Sequence, residues 1–135
     1  MIFRKRKNVR FSHCDPAGIV FYPRYAELCN EVVEDWFREA LAVDFHHLHE
    51  KLGLGIPVVR FEADFLHPST YGEELDFSLN VVEIGNASLR LRLLLACDGQ
   101  ERVRVLIKVA MISMDSMRAV EIDAGWRKKF TDFLE

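Results

Sequence analysis

The chain is poor in the features that usually decide a class at once. It has three cysteines in 135 residues, odd in number and widely spread. No disulfide framework is implied, and reduced thiols in a cytoplasmic protein are expected. Cys29 and Cys97 fall on apolar positions of their segments. No hydrophobic run approaches the roughly 18 residues that a membrane helix needs. Met1-Ile2-Phe3 leads into charge, not into an apolar core segment, so neither a membrane span nor a signal peptide is expected. There is no excess of positive charge. The net charge of −3 argues against nucleic acid as a partner. The local exception, Arg4-Lys5-Arg6-Lys7, alternates into Val9 and Phe11 and reads as the solvated start of a strand. No Walker-type or Rossmann-type glycine loop, internal repeat or low-complexity tract occurs. His46, His47 and His49 lack the i, i+4 spacing of a helical metal pair, and no metal site is expected.

What is present is a soluble globular composition, 50% hydrophobic and 29% charged, of a length that suits one domain over residues 1–135. Residues 3–13 read as a strand, with Val9, Phe11 and His13 on one face. Pro23 suits a first helical turn, and the following segment repeats apolar residues at helical spacing up to about Val43: Tyr25, Leu28, Cys29, Val32, Val33, Trp36, Phe37, Ala40 and Leu41. So wide a stripe predicts a deeply packed helix. Residues 44–52 predict a second, short helix stopped by Gly53 and Gly55.

From Pro57 onward the period changes to two. Val59 to Phe65, Leu75 to Val81, Leu89 to Leu95 and Val103 to Met111 predict four strands, with turns at Gly85-Asn86 and Asp98-Gly99. A helix from about Asp123 to Leu134 closes the order. One strand, a long helix, four strands and a short helix predict an α+β antiparallel sheet covering the helix. Val82, Leu94, Leu106 and Ile112 lie on the alternate phase and point to a partly covered outer face.

The most informative stretch is His13-Cys14-Asp15-Pro16-Ala17-Gly18-Ile19-Val20-Phe21-Tyr22-Pro23. It sets one carboxylate in a turn-rich loop that enters the long helix. A helix start offers unsatisfied N–H groups with partial positive charge. A carboxylate beside such donors suits acyl transfer, the donors holding the oxyanion. On residues alone, Asp15 is somewhat better read as an Asx-turn residue that stabilises its own loop. A Cys14–His13 dyad or a Ser12–His13–Asp15 triad is disfavoured, because consecutive strand residues face opposite ways.

Asp15-Pro16-Ala17-Gly18-Ile19-Val20, followed by Tyr22-Pro23, closely resembles the active-site motif of the 4-hydroxybenzoyl-CoA thioesterase family of the hotdog superfamily. The resemblance implies a hotdog fold: a curled antiparallel sheet of about five strands around one central helix. It implies an acyl-CoA thioesterase for an aromatic or short-to-medium acyl chain. Asp15 would be the catalytic nucleophile or general base, and Tyr22 would supply an oxyanion N–H. Gly18 would serve through a special backbone conformation or close approach. Tyr25 and the stretch Ile56, Pro57 and Val58 would border the acyl group. Arg118, in Met117-Arg118-Ala119-Val120-Glu121, would contact the nucleotide. No cofactor is implied beyond the coenzyme A of the substrate, and a homodimer or homotetramer is expected. The alternatives are a thioesterase for acyl carrier protein and an acyl-CoA-binding protein without turnover.

Overall fold

The computed structural model describes residues 1–135. The elements are β1 (Phe3–Asn8), α1 (Pro23–Glu39), α2 (Phe45–Glu50), β2 (Leu54–Gly55), β3 (Val58–Phe65), β4 (Glu74–Ile84), β5 (Ser88–Cys97), β6 (Gln100–Ala110), β7 (Ile112–Ser113) and α3 (Ala124–Thr131). Five strands form one sheet in the order β1-β4-β5-β6-β3, with every neighbour antiparallel. This is the expected hotdog arrangement.

Register explains why the sheet has one dry face. Phe77, Leu95 and Val103 stand opposite one another across β4, β5 and β6, and so do Leu79, Leu93 and Val105. All six are buried. Each such side chain contributes about 1.5–3 kcal/mol when fully buried. Arg90, Arg92 and Arg104, at alternate positions of β5 and β6, are exposed. Asp98 (φ 48°) and Gly99 (φ 80°) both take left-handed backbone, as a two-residue hairpin with strand-matching twist requires.

Helix α1 begins at Pro23, where the missing N–H costs nothing. Its stripe of Leu28, Cys29, Val32, Val33, Trp36 and Phe37 is buried in one core with the inner sheet face. Towards its C-terminus an aromatic cluster adds a second cover. Trp36 lies 5.9 Å from Phe130 and 5.5 Å from Phe133, ring centre to ring centre. The basic N-terminal segment is strand β1, whose Lys5, Arg6 and Lys7 pair with Glu39, Asp76 and Asp35 at 2.8 Å each.

Three expectations are corrected. The first strand ends at Asn8, not near residue 13. Its partner β4 begins at Glu74, opposite Asn8, and only one residue stays tied beyond it: the Val9 N–H donates to the Glu73 carbonyl at 2.8 Å and the Gly72 N–H to the Val9 carbonyl at 2.9 Å. The chain then turns through a single 3-10 turn at Phe11–His13, leaving Phe11 77% exposed. The long helix stops at Glu39, before Val43, because Ala42 enters left-handed backbone (φ 61°) and the Val43 N–H turns back to the Phe37 carbonyl. Ile112 does not belong to the outer sheet face. It leaves β6 to pair in the small β2–β7 ladder and is buried within the chain. Val82 and Leu94 are half-buried and Leu106 is exposed, so the outer-face argument rests on those three.

Strand β3 is an edge, and its large side chains are open to solvent: Val58, Val59, Phe61 and Phe65 are all exposed. No helix is long and apolar enough to cross a membrane.

Candidate active site

Asp15-Pro16-Ala17-Gly18 is a tight turn. The Gly18 N–H donates to the Asp15 carbonyl at 2.9 Å, and the Asp15 N–H donates to the Ile19 carbonyl at 3.0 Å. Asp first, Pro second and Gly fourth is a favoured composition for a type I turn. Gly18 has φ +83°, and a Cβ there would meet nothing within 4 Å. Backbone conformation, not close approach, is therefore what this glycine supplies. Asp15 is half-buried, and its Oδ1 accepts from the Ala17 N–H at 2.9 Å. The Asx turn is thus made, and it occupies one carboxylate oxygen while fixing the side chain's direction.

The turn feeds straight into α1. The Phe21 N–H donates to the His13 carbonyl at 2.9 Å, while the Arg24 and Tyr25 N–H groups donate to the Phe21 and Tyr22 carbonyls. The Tyr22 N–H has no acceptor within the chain, and Pro23 has no N–H to offer. One open backbone donor therefore stands at the positive end of α1, two residues beyond Val20, which pairs with Cys14 at the foot of the turn. Tyr22 is 64% exposed, and its ring packs edge-on against Phe21 and Phe65. His13 and Cys14 do not form a pair. His13 Nδ1 accepts from the Arg10 N–H at 2.9 Å, and Cys14 Sγ donates to the Arg10 carbonyl at 3.7 Å. His13 orients the approach to the loop.

Two apolar cavities lie along the seam between α1 and the edge strand β3. One, of about 370 Å³, is at the head of α1 and includes Ile19, Tyr22, Tyr25 and Phe65. The other, of about 610 Å³, lies further along and is lined by Ala26, Asn30, Ile56, Pro57, Val58 and Phe61 among others. The expected residues therefore fall into three groups. Tyr22 and Tyr25 line the cavity at the helix head, Asp15 and Gly18 stand in the preceding turn and line neither cavity, and Ile56, Pro57 and Val58 wall the larger one. Arg118 is exposed and its side chain has no partner in the chain; its neighbour Met117 lines the larger cavity. A third depression, of about 380 Å³, lies on the outer sheet face around Arg92, Leu94 and Arg104, and shares no residue with the motif loop.

Sequence reasoning missed the support beneath the loop. Arg102 on β6 is 8% exposed and forks onto Glu73, Nη1 to Oε1 at 3.0 Å and Nη2 to Oε2 at 2.9 Å. Its Nη1 also donates to the Pro68 carbonyl and to Ser69 Oγ, each at 3.0 Å. The Arg102 hydrogen bonds hold the Glu73 carboxyl well below the usual range, at about 2. Burial pushes the Tyr25 phenol upward, with Ser69 and Arg102 opposing. The only sequence signal for this support was the turn-rich run from His67 to Gly72, which reads as a strand break and nothing more.

Comparison with known proteins bears on this geometry. Residues 9–130 match the family model described as thioesterase-like superfamily. A 1,4-dihydroxy-2-naphthoyl-CoA hydrolase of Nostoc punctiforme is 26% identical over 129 residues, covering 96% of this chain and 80% of that protein. The enzyme of the same name from Thermosynechococcus vestitus is 26% identical over 100 residues, covering 74% and 68%. Among solved structures, a thioesterase superfamily protein from Jannaschia sp. CCS1 superposes with a TM-score of 0.92 at 22% identity, covering 98% of this chain and 93% of that one. A 1,4-dihydroxy-2-naphthoyl-CoA thioesterase from Synechocystis gives a TM-score of 0.86 at 18% identity, covering 98% and 97%.

Proposed function

Since the chain belongs to the thioesterase-like superfamily, we propose that it hydrolyses the thioester of an aromatic acyl-CoA to the free acid and coenzyme A. The observation that carries this reading is the turn that fixes the Asp15 carboxylate in the loop leading to the open N–H of Tyr22, a residue that itself lines an apolar cavity at the head of α1. A bicyclic aromatic acyl group is favoured over a short aliphatic one. The relatives named above act on a naphthoyl thioester, and the larger cavity, of about 610 Å³, offers Phe61, Ile56 and Val58 as apolar walls. This reading leaves 4-hydroxybenzoyl-CoA as one candidate among aryl thioesters.

Asp15 Oδ2 is the free carboxylate oxygen, since Oδ1 is held by Ala17. It acts in one of two ways. It attacks the thioester carbon, coenzyme A leaves as thiolate, and water then cleaves the mixed anhydride. Or it takes a proton from water, whose oxygen attacks the carbonyl before the thiolate leaves. In both, the Tyr22 N–H holds the developing oxyanion. Both balance with water and the carboxylate alone, so no cofactor is needed beyond the coenzyme A of the substrate. Tyr25 and Gly18 shape the site, and exposed Arg118 meets the nucleotide phosphates. The exposed apolar edge β3 adjoins the cavities, and we read the protein as a homodimer or homotetramer that covers it. Three free cysteines fit a reducing compartment, which supports our reading of the protein as cytoplasmic.

The test is release of free thiol from a panel of aryl- and alkyl-CoA thioesters, with Asp15→Asn alongside. Asp15→Asn keeps the Ala17 N–H acceptor but loses the carboxylate, so kcat falls by about 10³ or more with the fold intact. Unchanged turnover in that variant refutes the mechanism. No turnover by the wild type moves the assignment to a carrier-protein substrate or to acyl-CoA binding.

A further inference from the structure

The motif loop has few ties to the rest of the molecule. Its internal bonds join Asp15 to Ile19 and Gly18, and its entry bonds join His13 to Arg10 and Phe21. The bonds that reach the body of the fold run to one segment, 66–73. The Val20 N–H donates to the Ser69 carbonyl at 2.9 Å, Thr70 Oγ1 donates to the Gly18 carbonyl at 2.9 Å, and Ile19 bridges to Thr70.

That segment is itself irregular and must be held from outside. The Leu66 and His67 N–H groups donate to the Arg102 carbonyl, at 2.8 and 3.3 Å. The Arg102 guanidinium, nearly buried, takes the Pro68 carbonyl, Ser69 Oγ and both oxygens of Glu73. Glu73 Oε1 in turn accepts from the Thr70 N–H at 2.8 Å, in the residue that holds Gly18. A continuous series of bonds therefore runs from the sheet at β6, through segment 66–73, to the turn carrying Asp15.

We propose that Arg102 and Glu73 are positioning residues, acting through Thr70 and Ser69 to fix the turn that presents Asp15. The proposal rests on the thioesterase reading for its effect on turnover, but the anchoring is measurable without it. A bidentate pair suits this task because it fixes direction as well as distance, so the segment has one placement and not a range. A displacement of Asp15 by a fraction of a bond length would spoil its approach to a thioester carbon without touching the substrate.

The experiment compares Thr70→Val, Thr70→Ser and Glu73→Gln with the wild type in the full chain. Hydrogen exchange is read at the Asp15, Gly18 and Val20 amides, together with kcat, KM and the melting temperature. Thr70 is exposed, so Thr70→Val leaves the melting temperature in place. It is expected to speed exchange at those amides by about tenfold and to lower kcat by about tenfold with KM unchanged. Thr70→Ser, which keeps the hydroxyl, restores both. Glu73→Gln shows the same pattern at the loop and also melts lower. Exchange that is unchanged in Glu73→Gln overturns the proposal, and so does exchange that is unchanged in Thr70→Val. So does a fall in kcat that Thr70→Ser fails to rescue. A wild type that cleaves no thioester refutes the functional reading instead, and the exchange rates still decide the anchoring.

Discussion

Removing the charge of Glu73 should destabilise the fold in a way that only pH reveals. The Glu73 carboxyl is held at about 2, against 4.5 for the free group, chiefly by the hydrogen bonds from Arg102. The pair is mostly shielded, with side-chain exposures of 10% for Arg102 and 28% for Glu73. Taken at face value the depression corresponds to on the order of 3 kcal/mol at neutral pH. Residual exposure of the carboxylate screens it, so about 2–3 kcal/mol is expected. Because the folded value lies below the unfolded one, this stability is fully present above about 4.5 and is lost as pH falls through about 2. Urea unfolding of the wild type and Glu73→Gln between neutral and acid pH measures it. The gap between the two proteins should be largest at pH 7 and roughly halved by pH 3. A pH-independent remainder is expected from leaving the nearly buried Arg102 without its counter-charge. A gap of constant size across that range refutes the argument, since the variant would then be losing shape and not a depressed carboxylate.

Other perturbations test other parts of the structure. Trp36→Ala empties a fully buried site inside the aromatic cluster with Phe37, Phe130 and Phe133, and should cost about 3–5 kcal/mol in chemical denaturation. A loss below about 1 kcal/mol would mean that the cluster closes over the gap. Ala26→Leu adds bulk where α1 lines the larger cavity, and should lower kcat/KM for bicyclic aryl-CoA by about tenfold relative to a short acyl-CoA. Equal loss on both substrates would place the acyl group elsewhere. Light scattering should give a mass two or four times the 15.7 kDa of one chain, and Phe61→Lys on the exposed edge should lower it. A wild-type mass of one chain would refute the covered edge.

The fold was legible where a single period dictates burial. The stripe from Leu28 to Phe37 and the alternation along β4, β5 and β6 each point one set of side chains to one place, and the structure buries them there. Element ends were less legible because partners, not local sequence, set them. β1 ends where its partner strand does: β4 starts at Glu74 opposite Asn8, and only Val9 stays tied beyond it, to Gly72 and Glu73. Ala42 ends α1 in a left-handed conformation that glycine would have announced and alanine does not. The alternation of β3 reads the same as that of β5, yet β3 is an edge and β5 is central. Period two reports that a strand has two faces. It does not report how many neighbours the strand has.

The same distinction explains the site. The turn at Asp15 was readable because all of its chemistry is local: a proline at the second position, a glycine with positive φ, and an Asx bond spanning two residues. Its support was not readable because every step crosses the chain. Thr70 reaches Gly18 over 52 residues, and Arg102 reaches Glu73 over 29. In sequence, Glu73 is an acidic residue after a turn and Arg102 is a cation at the start of an alternating strand, and both positions are ordinarily solvated. Only folding brings them to one point, and a nearly buried arginine is tolerated there because four acceptors converge on it. A short local motif sets the shape of the turn and the direction of the Asp15 side chain, but the turn is tied to the sheet by bonds between residues far apart in the chain. Here those bonds run from β6 to the loop through a segment that has no regular structure of its own.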